Sequence, residues 1–145
     1  MEVTNVDNQG DAFKKEIKEF FVLSRVFLKE GFCPVKDLMA ESMDKWSLFV
    51  LYHLGYYGHL RFNELKKRID GISSRMLSVT LKKMESNGII DRKVYAESPP
   101  RVEYSLTSFG REFGEKVIDL SNWFVHHHHK SAPIAERHNN SSKTD

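Results

Sequence analysis

Apolar residues recur every three or four positions over residues 11–30, where Phe13, Ile17, Phe20, Phe21, Phe27 and Leu28 form one broad stripe. That spacing predicts an amphipathic helix ending at Gly31. Proline suits a first helical position, so "PVKDLMAES", entered from Cys33-Pro34, reads as a short second helix. In "KWSLFVLYHLGYYG" the residues Trp46, Leu48, Phe49, Val50, Leu51 and Leu54 leave almost no polar face, which predicts a central, buried helix. "RFNELKKRI" sets Phe62, Leu65 and Ile69 against Lys66, Lys67 and Arg68. Beyond Asp70-Gly71, Ser73 can cap a helix over 74–87, closed by Asn87-Gly88. The period then falls to two. "IIDRKVY" and "RVEYSL" read as strands, with Val102, Tyr104 and Leu106 on one face, and "AESPP" is a hairpin tip where prolines are tolerated. Thr107 can cap a last helix with the stripe Phe109, Phe113, Val117, Leu120 and Phe124.

Two short helices joined by a tight Gly-containing turn, then a two-stranded wing, make a winged helix-turn-helix. The expected fold is mainly α with a small β-hairpin (α+β), with additional N- and C-terminal dimerisation helices. Residues 1–10 are expected to be disordered, 11–125 to form the DNA-binding and dimerisation domain, and 126–145 to be a flexible polar tail.

At 3.6 residues per turn, Leu77, Leu81 and Met84 share the buried side of the 74–87 helix. Arg75, Ser78, Val79, Lys82 and Ser86 fall opposite, within an arc of roughly 100°. No acid lies in that arc, although Glu85 borders it. Small side chains let a helix sit deep in a groove. Arg75 lies near the N-terminal end, which in a recognition helix reaches base edges, and an arginine can pair bidentately with guanine. Val79 can touch a thymine methyl. Ser73 and Ser74, with the N–H groups of the helix start, suit a phosphate. Arg61 before this helix, and Arg92, Lys93 and Arg101 on the hairpin, add cations around it.

Charge sharpens the picture once it is split by region. The chain has 145 residues and a net charge of +2, but residues 61–101 hold ten Lys/Arg against five Asp/Glu, and residues 1–44 hold six against nine. A basic middle behind an acidic front is expected where one surface meets a polyanion. A solvated charged face would show the same counts. The geometry of three elements converging on one helix favours the polyanion.

The chain resembles the HxlR-type winged helix-turn-helix transcriptional regulators of bacteria and archaea. The likeness rests on "CPV" at Cys33, "KWSLFVLYHL" from Lys45, "RFNELKKRI" from Arg61, "GISSRMLSVTLKKMESNGII" from Gly71 and "PPRVEYSLTSFG" from Pro99, and spans about residues 33–123. It implies a homodimer on an inverted-repeat operator in double-stranded DNA, with the Arg75-bearing helix in the major groove and the 89–106 hairpin as wing. Some such regulators sense oxidants or electrophiles through the cysteine that matches Cys33. The chain departs from the pattern at Asp44, where a glycine usually precedes the lysine-tryptophan pair, and in the length of its first helix.

Broad apolar stripes on the first and last helices point to a dimer interface through Phe13, Ile17, Phe20, Phe21, Phe113, Leu120 and Phe124. A two-fold dimer sets its recognition helices ~34–36 Å apart. A helix N-terminus lowers a thiol pKa at Cys33, yet one cysteine in the chain has no internal partner, and a small packing residue is the plainer reading. Imidazoles at helical spacing in the run His126 to His129 can share a divalent metal, but no Cys or carboxylate cluster lies beside them, so an inert polar run is the plainer reading and no metal is expected. His53 reads as a core or interface histidine. There is no phosphate-cradling Gly loop, nucleophile elbow or paired-carboxylate spacing, which argues against an enzyme and against a cofactor. A winged helix used only for protein–protein contact is the alternative, and it would carry an acidic or apolar outer face on 74–87. No apolar run approaches the ~20 residues of a membrane span, and no signal sequence is visible, so a cytoplasmic protein is expected. No effector follows from the sequence.

Overall fold

The computed structural model describes residues 6–28 and 34–127, and the chain divides into two compact units between Asp44 and Lys45.

In the first unit, α1 spans Val6–Leu28, so it begins inside the stretch expected to be disordered. Apolar periodicity registers only the part of a helix that carries apolar side chains. The polar lead-in of Asp7, Asn8 and Gln9 is invisible to it. Phe13, Ile17, Phe20 and Phe21 are all exposed on α1. The expected second helix is wound more widely, as a π-type stretch over Pro34–Met39 followed by a short α2 at Ala40–Ser42. A single turn of apolar spacing does not distinguish the two windings. Cys33 lies outside the described residues.

The second unit holds α3 (Lys45–Tyr57), β1 (His59–Arg61), α4 (Phe62–Arg68), α5 (Ser74–Ser86), β2 (Ile90–Tyr95), β3 (Arg101–Leu106) and α6 (Ser108–His127). Its core joins Val50, Leu51 and Leu54 of α3 to Leu65, Ile69, Ile72, Leu77, Leu81, Met84, Ile90, Leu106 and Val117. Burying side chains of this kind contributes about 1.5–3 kcal/mol each. The sheet is antiparallel in the order β1-β3-β2, so the expected hairpin gains a third strand. "HLR" is too short for a two-residue period to register.

Helix α3 is buried on one side only. Phe49, Tyr56 and Tyr57 are exposed, which corrects the expectation of an all-round buried helix. The outward aromatics pair among themselves. Tyr56 meets Tyr57 edge-on at 4.7 Å, and the Arg68 guanidinium lies 4.0 Å above the Tyr57 ring. His53 is half-buried, and its Nδ1–H donates to the Phe49 carbonyl at 2.7 Å.

One junction ties α5, the wing and α6 together. Gly88 takes φ 70°, a left-handed conformation that favours glycine, and turns the chain out of α5. The Thr107 hydroxyl donates to the Gly88 carbonyl at 2.6 Å and accepts from the Gly110 N–H at 2.8 Å, capping α6 as the sequence predicts. Gly110 packs against the Ile89 backbone so closely that a Cβ there would overlap the Ile89 carbonyl group.

Helix α6 runs two residues past the expected end at Val125. His126 and His127 donate from Nδ1 to the carbonyls of Asn122 and Trp123, at 2.7 and 2.9 Å, and so serve the last turn. His128 and His129 lie outside the described residues.

Candidate nucleic-acid interface

The α4–turn–α5 segment sets the angle and depth of α5. Ser73 stops extended (φ −77°, ψ 155°), and its Oγ accepts from the Met76 N–H at 3.0 Å, so the first turn of α5 is capped as expected. By helix geometry the N–H groups of Ser74 and Arg75 then head the helix without an intrahelical partner, the arrangement that suits a phosphate oxygen. Leu77, Thr80, Leu81 and Met84 face inward, and all are buried.

The opposite face is open. Arg75, Ser78, Val79, Lys82 and Ser86 are all exposed, as the helical spacing predicts. Ser86 returns its hydroxyl to the Lys82 carbonyl at 2.9 Å, which ties it to the helix backbone. Sequence reasoning missed Met76, which is 41% exposed on the flank of the same face. Placing every residue of the helix on the wheel would have found it.

The pleat of the sheet divides the other candidate cations. Register pairs Arg92 with Tyr104, and Tyr104 with Leu60, on the face that meets the core. Arg92 shares a cleft of about 290 Å³ with Phe62, Ser78, Lys82, Glu85 and Tyr104, so it extends the surface of α5. Arg61 pairs with Glu103, and Glu103 with Lys93, on the other face of the sheet. Cross-strand partners lie on one face with Cβ atoms ≈ 5 Å apart, so Glu103 stands between two cations.

Arg101 also belongs to that second face, and it is not a free cation. Its guanidinium lies 3.3 Å from Glu97 and 3.3 Å from Glu103, and 4.1 Å above the Tyr95 ring, with its side chain only 29% exposed. Lys93 covers the same ring at 4.9 Å. The structure therefore groups Arg75, Ser78, Val79, Lys82 and Arg92 with the capped start at Ser73-Ser74, and sets Arg61, Lys93 and Arg101 apart among carboxylates. The sequence signal for this was the alternation in "RVEYSL", which puts Arg101 and Glu103 on one side.

The apolar stripe of α6 is likewise divided. Val117 is buried and Phe113 packs half-buried against the unit's own core, while Leu120 and Phe124 are exposed together with Ile118 and Trp123.

The HxlR-like helix-turn-helix family matches residues 42–132, a span that holds both the helix pair and the wing. The chain belongs to this family. Among curated relatives, the uncharacterized HTH-type transcriptional regulator YdeP of Bacillus subtilis (strain 168) is 42% identical over 91 residues, covering 63% of this chain and 70% of that one. Among solved structures, the putative transcriptional regulator ytfH from Salmonella typhimurium superposes with a TM-score of 0.62 at 31% identity, over 72% of this chain and 92% of that one. The reduced form of the redox regulator HypR gives 0.60 at 37% identity, over 66% and 93%. This HxlR-type chain is a DNA-binding transcriptional regulator. No described helix is long and apolar enough to cross a membrane.

Proposed function

We propose that the protein acts as a homodimer on an inverted-repeat operator, with α5 lying in the major groove and the β2–β3 hairpin serving as the wing. One observation carries the reading: the outer face of α5, with Arg75, Ser78, Val79 and Lys82, is left uncovered and joined by Arg92. Arg75 reads a base edge, Ser73 and Ser74 with the helix start hold a phosphate, and Lys82 and Arg92 add phosphate contacts. A regulator acting on DNA in this way works in the cytoplasm and needs no catalytic step. The test is a fluorescence-anisotropy titration of the upstream intergenic duplex against a random duplex of equal length. Tighter binding to the intergenic duplex supports the reading, and equal affinity removes it. A module for protein contact alone would bind neither duplex, and the basic face of α5 speaks against it.

The dimer is carried by uncovered apolar surface. Phe13, Ile17, Phe20 and Phe21 on α1, and Leu120 and Phe124 on α6, are large apolar residues facing outward. Phe113 contributes less, because it already leans on its own core. Sedimentation velocity on Leu120→Asp/Phe124→Asp is expected to give monomers, and an unchanged dimer would take α6 out of the interface.

Control of binding by thiol oxidation at Cys33 is a second reading, favoured by the likeness to the redox regulator HypR. Diamide treatment that leaves operator affinity unchanged would retire it.

A further inference from the structure

Two apolar side chains stand in the open on α5, and the basic surface around them explains neither. Met76 is 41% exposed and Val79 54%, beside Arg75, Ser78 and Lys82. Three residues apart on a helix, they are surface neighbours. The stability of α5 does not call for them, since Leu77, Leu81 and Met84 already fill its core-facing side. Met76 is also held in place. Its N–H is the one capped by Ser73, so its side chain leaves from the first turn, the end of such a helix that reaches base edges.

An apolar pair bordered by cations suits an occupant that is polyanionic and locally apolar. The major groove offers one such feature on its base edges, the C5-methyl group of thymine. We infer that Met76 and Val79 together form a thymine-methyl reader, fixing an A·T pair in each half-site beside the base contacted by Arg75. The inference rests on α5 being the groove-facing helix and adds to it the identity of a base. A protein partner could also cover an apolar pair, but it would have no use for the flanking cations.

Uracil tests this directly, because replacing thymine by deoxyuridine removes only the methyl. The full-length protein first enriches duplexes from a random-sequence pool, and each thymine of the enriched sequence is then replaced singly. One or two positions per half-site are expected to lose about fourfold in affinity, the value of one buried methyl-sized group. In Met76→Gln/Val79→Ser, which leaves no methyl at either position, thymine and uracil duplexes should bind alike at those positions. The slope of affinity against salt should stay as in the wild type, since no charge has changed. Both sites are exposed, so the melting curve should hold; if the double variant fails to fold, Val79→Ser alone carries the test. An enriched sequence indifferent to every uracil overturns the thymine reader while leaving the groove-facing helix standing. Uracil sensitivity that persists undiminished in the variants overturns it too. A pool from which nothing is enriched overturns the groove-facing helix itself.

Discussion

The outer face of α5 and the outer face of the wing carry the same kind of charge along the chain and hold it differently. On α5, Arg75 and Lys82 are exposed, and among the described residues neither takes part in an ion pair. On the wing, Arg101 is bound by Glu97 and Glu103 and stacked on Tyr95, while Arg61 and Lys93 flank the same Glu103. A phosphate approaching α5 meets cations that only water has to leave. One approaching the wing must compete with carboxylates already in place. Charge counted by region therefore overstates what the wing offers a polyanion, and the α5 face is the stronger electrostatic surface of the two.

The largest expected effect comes from breaking the junction that positions both faces. Gly110→Ala puts a methyl into the Ile89 carbonyl, and because that obstacle is backbone, no side chain can swing aside. The loss of stability should reach or exceed the top of the ~1–3 kcal/mol range typical of overpacking. Thermal unfolding followed by circular dichroism measures it. A variant melting like the wild type would show that α6 can lift off the start of β2 at little cost, and the two faces would then not be rigidly related.

Arg75→Ala comes next and acts on the α5 face alone. Loss of a bidentate base contact should cost ~1–3 kcal/mol of discrimination at one base pair per half-site. Competition titrations with operators altered at single base pairs read this out. Uniform weakening across all sequences would make Arg75 a phosphate contact instead of a base reader.

The outer face of α5 was legible in the sequence and the state of the wing only in part, for a physical reason. Helical spacing settles which side of α5 is buried, because Leu77, Leu81 and Met84 must share one core, and Ser73 and Gly88 mark its ends by local backbone chemistry. Nothing in that inference needs a residue far away. The alternation in "RVEYSL" puts Glu103 on the side of Arg101, but the Tyr95 ring across the hairpin joins them only once register is known. The third strand was hidden likewise, since three residues acquire their meaning from pairing with β3. Helix α3 failed in the other direction. Its apolar content predicts burial all round, but only one side meets the core, and Tyr56 and Tyr57 settle on each other outside it.

A smaller effect, of opposite sign, should come from Glu103→Gln. Removing this carboxylate leaves the outer face of the sheet with one more uncompensated positive charge. Affinity for random duplex is expected to rise, and the plot of log affinity against log salt to steepen by about one unit, the signature of one more phosphate neutralised. No change in slope would mean that the outer face of the wing does not approach DNA at all.

The smallest expected effect is the most discriminating. Lys82→Ala removes an unpaired cation from α5 and should flatten the salt slope by about one unit. Arg101→Ala/Glu103→Gln removes one cation and one anion of a pair 3.3 Å apart, leaving the net charge as it was. If that pair is already satisfied within the wing, few counterions are released there on binding, and the double variant's slope should match the wild type's to within about half a unit. Both members of this partly buried pair are removed together, so neither is left as an uncompensated charge, and folding should survive the change so that the slope can be read cleanly. A double variant that flattens the slope as much as Lys82→Ala would mean that Arg101 leaves Glu103 for a phosphate on binding. The wing would then contribute charge on the same footing as α5, and the contrast between the two faces would belong to the free protein alone.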